Sequence, residues 1–484
     1  MAFKHHKTTE ILKWFEQISQ FPRCSKNEGA VREWLIKQAQ ENHFEVKTDN
    51  VQNLLIKVPA SQGYEQSPIV VLQGHLDMVC EKTPDSNHDF STDPIKLIYE
   101  GDWITADKTT LGADNGIAIA LAMTLAVDKE LAHPPLELLF TVDEESGLIG
   151  ASALAPGFFD GRILINLDSE EEGHLTVGCA GGLNTHLSVP IDWAEVPTHY
   201  QLMKVKAGGM KGGHSGVEIH AEKANAIKIL AQTLHYLKKQ VDIRLANLSG
   251  GNAHNAIPRD CEAWVFVPKN QIETVKTILL ETETLLKSAY KNTDPDLFIK
   301  VEGCNETYNQ AITLEHTGKV IDVLMVQPHG VAAMSTEIEG VVETSNNLAN
   351  VSVKAGKLEV LTSQRSLLVS KLEALTHQIE AVARLVGGET HNETYYPPWQ
   401  PNMESLLLAK SLQIYERLFD DQKPVVKVIH AGLECGVIGD KISGMDMIAI
   451  GPTLNSPHSP DEKIHIGSIG RVWDLLLELL KELK

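Results

Sequence analysis

Positive charge is scarce in this chain: 43 lysines and arginines face 64 aspartates and glutamates, a formal charge of −21 over 484 residues. A surface so acidic repels phosphate backbones and anionic bilayers, which argues against nucleic acid and membrane partners. Long apolar runs are missing as well. The longest, "GIAIALAMTLAV" from Gly116 to Val127, is too short for a bilayer, which asks for about 20 residues, and "MAFKHHKTTEILKWF" at the start has no apolar signal core. Paired cysteines are lacking too. Cys24, Cys80, Cys179, Cys261, Cys304 and Cys435 stand singly without a CxxC, which argues for reduced buried thiols rather than a disulfide framework or a thiolate metal site. Together these absences predict a soluble, cytoplasmic protein.

What the chain has in quantity is core material, 43% hydrophobic residues over a length that suggests two or three domains. "SKNEGAVREWLIKQAQEN" sets Ser25 three residues ahead of Glu28, a capping-box spacing, before Val31, Trp34, Leu35 and Ala39 at helical intervals. Apolar runs then alternate with helical segments: "SPIVVLQGHLD" (67–77), a helix over 115–127, "LELLFTVDEE" (136–145) and "RILINLD" (162–168). Such alternation predicts an α/β fold, a mostly parallel sheet with helices on both faces.

After "GCAGGLN" the pattern changes. Strands at 200–206 and in "EAWVFVP", helices over 218–237 and 271–290, a strand pair in "NLANVSVKAGKLEVLTSQRS" and a helix over 367–385 describe an inserted α+β unit. Two similar halves would fit this order, though no sequence repeat is visible. "GGETHNETYYPPWQP" reads as a hinge or linker, after which "PVVKVIH", "MDMIAIGPT" and a helix over 467–483 resume the alternation. The expected layout is a catalytic domain in two parts, 1–184 and 395–484, interrupted by an insert over 185–394.

Ligands of such sheets gather beyond the carboxyl ends of the strands. His75 and Asp77 close one strand, Glu144 and Glu145 another, and Asp168 a third, while Asp114 lies in "TTLGADNGIAIA", where a Gly-containing loop turns into a helix. Asp143, Glu144 and Glu145 in a row repel one another, and a divalent cation is the simplest compensation. One carboxylate would then ligate the ion and its neighbour would remain a general base on bound water. His75 suits a ligand, with Asp77 on the same side of the strand to fix the imidazole tautomer. Histidine and carboxylate donors without thiolate suit Zn²⁺, Mn²⁺ or Co²⁺ in a catalytic site, and "GPTLNSPHSPDEKIHI" offers one more, His458. Taken singly, each has a plainer reading. HxD in a strand is commonly structural, an EE pair is usually a solvated strand exit, Asp114 suits a turn or helix cap, and His458 suits a loop.

"GHLDMV", "TTLGADNGIAIA", "TVDEESGLIGA", "LINLDSEEEGHLTVGCAGG", "GGHSGVEIH", "NAIPRD", "HAGLECG" and "GPTLNSPHSPDE" together resemble the bacterial aminoacyl-histidine (Xaa-His, or cytosol nonspecific) dipeptidase family over essentially the whole chain. That family lies in the wider group of two-metal peptidases with carboxypeptidase G, aminoacylases and peptidase T. The resemblance implies a zinc-peptidase sheet interrupted by a lid, two divalent ions, zinc foremost with cobalt or manganese as substitutes, and hydrolysis of Xaa-His and other unblocked dipeptides such as β-alanyl-histidine. It implies that His75, Asp114 and Asp168 hold one ion and Asp114, Glu145 and His458 the other, with Asp114 bridging and followed by a cis peptide. Glu144 would be the base that activates a bridging water, Asp77 would orient His75, and Asp143 is assigned no catalytic role. In the wider group, Asp rather than Glu at the position of Asp168 goes with free amino termini, against the alternative of an acylamino acid hydrolase using the same two-metal site. In the lid, the resemblance implies that His214 and Asn255 hold the scissile carbonyl and that Arg365 takes the terminal carboxylate, which its planar fork matches. It further implies a backbone contact from Gly432. The expected partners are a short peptide and a second copy of the chain in a homodimer.

Overall fold

Four short runs rich in Val, Ile and Leu lie side by side as parallel strands in the order Leu136–Thr141, Val70–His75, Ile163–Asn166, Asp446–Ala449. The first two are buried throughout, as strands covered on both faces are. The computed structural model describes residues 5–304, 306–420 and 422–484. Leu54–Val58 and Glu45–Thr48 extend the sheet antiparallel on one side, His174–Cys179 antiparallel on the other, and Val425–Ile429 forms the edge beyond, for eight strands in all. The sheet is therefore parallel at its centre and flanked by antiparallel pairs, and on one side Glu45–Thr48 and Leu54–Val58 form a hairpin too tight for a crossover helix. Helix Ala113–Val127, apolar all round, packs on strand Val70–His75 and against helix Thr8–Ile18. Among the described residues no helix is long and apolar enough to cross a membrane.

The chain divides into two compact units. The first, the catalytic unit, runs through Cys179 and resumes over Trp399–Val428 and Leu433–Lys484; the second, the inserted unit, comprises Ala180–Pro398 and Ile429–Gly432. Two expectations for the first fail. The helix after Ser25 spans Gly29–Glu41 with Glu28 at its cap position and no side-chain cap. Ser25 instead donates to Asp77 Oδ2 at 2.8 Å, and Glu28 accepts from the backbone N–H groups of Lys26 and Asp143. Both residues are drawn to the strand ends, so the capping box does not form. Nor are all cysteines reduced: Cys24 and Cys80, isolated in sequence, are joined as a disulfide with Cα atoms 5.7 Å apart, and Cys179, Cys261, Cys304 and Cys435 are free. The fold brings the first two together by laying Cys24 beside Met78 in an isolated parallel bridge.

The inserted unit contains the two halves that sequence left unresolved. One is Tyr200–Gly208, helix Ala226–Lys238, Arg244–Gly250, Cys261–Pro268, helix Ile272–Ala289 and Phe298–Glu302. Its first helix starts later than expected, where the Asn225 side chain accepts from the N–H groups of Ile227 and Lys228. The other half is Gly181–Pro190, helix Leu314–Val326, Val342–Lys354, Lys357–Ser366, helix Val369–Leu385 and Glu389–Tyr396. Both follow a β-α-β-β-α-β order, the first inserted after the opening strand of the second. They share one sheet, joined antiparallel where Ser249 and Gly250 oppose Ser352 and Val351, and one hydrophobic core running from Leu230 and Val275 to Leu324 and Ile379.

Candidate metal centre

Leu136–Thr141 and Val70–His75 end level, with Thr141 opposite His75, and Ile163–Asn166 ends two residues short of them, with Asn166 opposite Gln73. Just beyond these ends come Glu144 and Glu145 on one strand and Asp168 on the next, while His75 is the last residue of its own. Asp114 enters from the start of helix Ala113–Val127, where Asp114 and Asn115 depart from helical φ/ψ and the peptide bond between them is cis. Asn115 fixes this entry, since its Oδ1 accepts from His75 N (3.1 Å) and its Nδ2 donates to Leu167 O (3.0 Å). The space beside Gly74 is filled by that amide: a Cβ there would lie 2.3 Å from Asn115 Oδ1.

Asp114 stands between the two histidines. Its Oδ1 is 2.9 Å from His75 Nε2 and its Oδ2 is 3.1 Å from His458 Nε2. Asp168 Oδ1 lies 3.5 Å from His75 Nε2, and Glu145 Oε2 lies 3.1 Å from His458 Nε2. The residues thus form two groups of three that share Asp114. Potential ligand atoms of His75, Asp114 and Glu145 are all within 4.8 Å of one another, and Glu145 Oε1 is buried with no hydrogen-bond partner. Imidazole nitrogens, carboxylates and an orphaned buried oxygen suit divalent cations, and the shared carboxylate provides for two of them. Asp77 does more than its spacing revealed. Its Oδ1 is 3.3 Å from His75 Nδ1, and its carboxylate also accepts from Glu144 N (3.0 Å) and Glu145 N (3.1 Å).

Burial and mutual repulsion divide the acids into two kinds. Burial opposes charge on Asp114, but hydrogen bonds from His458 and His75 hold it well below the usual carboxylate range. Asp77, likewise opposed by burial, is lowered to about 2 by His75. Burial, reinforced by the charge of Asp114, raises Asp168 to about 6. Burial raises Glu144 well above its ordinary value, with Asp168, Glu434 and Glu145 adding to the effect. Hydrogen bonds to Asp114 and Glu145 raise His458 to about 11. A carboxylate held ionised beside one eager for a proton is the arrangement from which acid–base roles are built, and cations would displace the protons now shared between histidines and acids.

The expected substrate residues lie in the inserted unit. His214 pairs with Ala256 in a two-residue ladder, which sets it beside Asn255, and both line a cavity of about 730 Å³ with Lys211, Arg259 and Glu262. His214 Nδ1 accepts from the N–H groups of Gly216 and Val217, each at 3.1 Å, so the proton of the neutral ring sits on Nε2. Arg365 is buried, donates from Nη1 to Tyr396 Oη at 2.7 Å, and has Nε without a partner. Gly216 gathers these groups: a Cβ there would stand 3.0 Å from the His214 ring, 3.2 Å from Arg365 Nε and 2.2 Å from the His430 carbonyl oxygen. Gly432 faces the Tyr396 ring, 2.9 Å from where its Cβ would be. Asn255 is tied in through its carbonyl, which accepts from Ser215 N.

Sequence reasoning missed several residues around both groups. Tyr396 lay in a stretch read only as a linker, and His430, bonded through Nε2 to Ser345 Oγ at 2.7 Å, opens a motif quoted only for Gly432. Glu434 accepts from Thr141 Oγ1 and Gln73 Nε2 beneath the strand ends, and Glu462 follows His458 by four residues. Arg23 and Glu28 are buried near Asp77 and Asp143. The signal for Glu434 and Glu462 was a charged residue inside a motif already singled out. Arg23 gave none.

Comparison with known proteins bears on this geometry. Residues 205–294 match a family described as a peptidase dimerisation domain. The chain is 38% identical over 469 residues to the cytosol non-specific dipeptidase of Escherichia coli K12, covering 97% of this chain and 96% of that one. The chain belongs to the cytosol non-specific dipeptidase family. It is therefore a metal-dependent peptidase, and the resemblance expected from its motifs holds. Among solved structures, the aminoacylhistidine dipeptidase of Vibrio alginolyticus superposes with a TM-score of 0.89 at 37% identity, over 99% of this chain and 97% of its own. The aminopeptidase PepT of Bacillus cereus shares the fold, with a TM-score of 0.57 at 16% identity over 98% of both chains.

Proposed function

We propose that this member of the cytosol non-specific dipeptidase family hydrolyses unblocked dipeptides, Xaa-His among them, with β-alanyl-histidine as a representative substrate. The observation that carries the reading is the pair of three-residue groups sharing Asp114, with Glu144 beside them. In this reading His75, Asp114 and Asp168 hold one ion and Asp114, Glu145 and His458 the other, zinc in both, with cobalt or manganese able to replace it. When bound, such ions polarise a carbonyl and lower the proton affinity of water. Glu144 takes the proton of the attacking water and returns it to the leaving amine, a role supported by the raised proton affinity that burial gives it. Asp77 holds the His75 ring and, through two N–H groups, the Glu144–Glu145 backbone.

In the inserted unit, His214 donates from Nε2–H to the oxygen of the scissile carbonyl, with Asn255 beside it, and Arg365 pairs with the substrate's terminal carboxylate. The unpartnered Nε of Arg365 supports that assignment. Gly432 supplies a backbone contact to the same carboxylate. Binding both termini would limit the substrate to short, unblocked peptides.

The test is release of free histidine from β-alanyl-histidine before and after chelation, and again after zinc or cobalt is restored. Turnover that vanishes and returns is expected. An acylamino acid hydrolase, the alternative, would instead cleave N-acetyl-histidine faster, an outcome that Asp168 speaks against. We propose cytoplasmic residence, consistent with the name of the Escherichia coli relative, and a homodimer, consistent with the dimerisation-domain match. Because Arg244–Gly250 is already paired with Val342–Lys354 inside the chain, that junction is closed to a second copy. Light scattering at twice the 53.2 kDa chain mass is the expected result.

A further inference from the structure

Glu462 is a buried carboxylate that the proposed chemistry does not use, yet four consecutive backbone N–H groups converge on it. Its Oε2 accepts from Leu111 N (2.7 Å) and Gly112 N (2.9 Å), and its Oε1 from Ala113 N (2.8 Å) and Asp114 N (3.3 Å). Those donors form the loop that delivers Asp114, and they open its helix, where the dipole adds to the attraction for a negative charge. The opposite side of the same loop is held by Arg23. Its Nη2 donates to Gly112 O and its Nη1 to Leu76 O (3.1 Å) and Asp77 O (2.8 Å), the residues that follow His75. Gly112 has φ +70°, and a Cβ there would stand 2.5 Å from Arg23 Nη2, so only glycine lets the loop lie this close. Glu462 and Arg23 are each 2% exposed. Two buried opposite charges therefore compensate each other across one loop, every bond between them running through its peptide groups.

We propose that Glu462, with Arg23 as its counterpart, is a positioning residue of the metal centre that sets the spacing of His75, Asp114 and His458. Glu462 is anchored four residues after His458, its own N–H donating to Ser459 O at 3.0 Å. The clamp thus ties the His458 loop to the backbone of Asp114, and Arg23 ties that backbone to the end of the strand carrying His75. The carboxylate is required because all four partners are donors; an amide would turn an NH₂ group toward N–H groups and lose half of the bonds.

This inference rests on the proposed two-ion site, and its test separates the two. Metal-free wild type, Glu462→Gln and Glu462→Asp are titrated with Co²⁺, with calorimetry giving stoichiometry and affinity and visible absorption reporting the ligand field. Circular dichroism checks the fold of each apoprotein. Wild type is expected to bind two ions; failure there would overturn the two-ion reading itself. Folded Glu462→Gln is expected to bind at least one ion about 10–100-fold more weakly, the usual cost of removing a group that orients ligands, with an altered cobalt spectrum. Glu462→Asp, which keeps the charge but is one methylene shorter, should fall between. A folded Glu462→Gln that binds both ions with wild-type affinity and spectrum overturns the proposal, as a merely structural carboxylate would change thermal stability alone. Should Glu462→Gln not fold, Glu462→Asp decides by the same criterion.

Discussion

The catalytic unit and the inserted unit bury opposite chemistries. The first buries carboxylates: Asp77, Asp143, Glu28, Glu434 and Glu462 all lie below 8% exposure around the strand ends. The second buries chiefly amides, hydroxyls and nitrogen bases, among them Asn346, Asn347, Gln364, Ser345, His430 and Arg365. One is an environment for cations; the other, in the reading proposed above, would receive a carbonyl and a carboxylate. Desolvation acts on both with opposite results. In the catalytic unit burial raises carboxyl groups, Glu170 to about 8 and Glu434 to about 7. In the inserted unit it lowers histidines, His329 and His430 each to about 3. What the comparison teaches is that burial alone does not make a site. The sign of the group that is buried decides what can be bound.

The sharpest way to break this division lies within the catalytic unit. Alanine at Glu144 should cut hydrolysis of β-alanyl-histidine roughly 10²–10⁴-fold while leaving two ions bound, whereas alanine at Asp114 should lose both ions and all turnover. Metal analysis of the two variants would sink the distinction if both lost ions equally.

Next in size is the carboxylate cradle. Removing one partner of a buried charged pair costs about 2–5 kcal/mol, so Arg365→Ala should lower kcat/KM at least about 30-fold, chiefly through KM. Arg365→Lys should recover part of it without the planar fork. Dipeptide amides, which lack the carboxylate, should be poor substrates for wild type and no worse for Arg365→Ala. A variant that still preferred the free acid would contradict the assignment.

A smaller effect sets the two units directly against each other. Acids whose folded values lie above their unfolded ones stabilise at low pH, and that stability is lost as pH rises through the folded values, about 7 and 8 for Glu434 and Glu170. Histidines held below 6.5 do the reverse: the unfolded chain takes up protons that the folded unit refuses, so stability falls as pH drops below 6.5. Between pH 8 and pH 5 the metal-free catalytic unit should gain protection and the inserted unit should lose it. Hydrogen exchange resolved by peptide would show parallel trends if the comparison were wrong. Zinc should flatten the first trend, since the ions replace the shared protons.

The smallest effect is chemical. The denatured, unreduced protein should show four reactive thiols and the reduced protein six, because Cys24 and Cys80 are joined. Six thiols without reductant would restore the reading drawn from cysteine spacing.

Much of the centre was legible because strand ends are written in sequence. Apolar runs followed at once by His75, Glu144 and Asp168 mark where a parallel sheet exposes its ligand crevice, and the geometry brings those residues together as alternation required. The capping box at Ser25 and Glu28 misled because a local pattern competes with tertiary partners. Asp77 and the Asp143 N–H offered both side chains buried hydrogen bonds that a solvated helix start could not match. The two halves of the inserted unit stayed hidden for a related reason: a shared β-α-β-β-α-β order constrains hydrophobic spacing but leaves residue identity free.

Sequence by itself determined the alternating core, the acidic balance, the ends of the strands and the family, because each is a local or cumulative property of the chain. The tertiary structure alone decided which buried charges meet. Arg23 and Glu462 stand 439 positions apart on either side of one loop, and Cys24 reaches Cys80 only because a strand end lies beside it. Such pairings depend on where distant segments pack, and a single sequence carries no record of distance between residues that never neighbour each other along the chain.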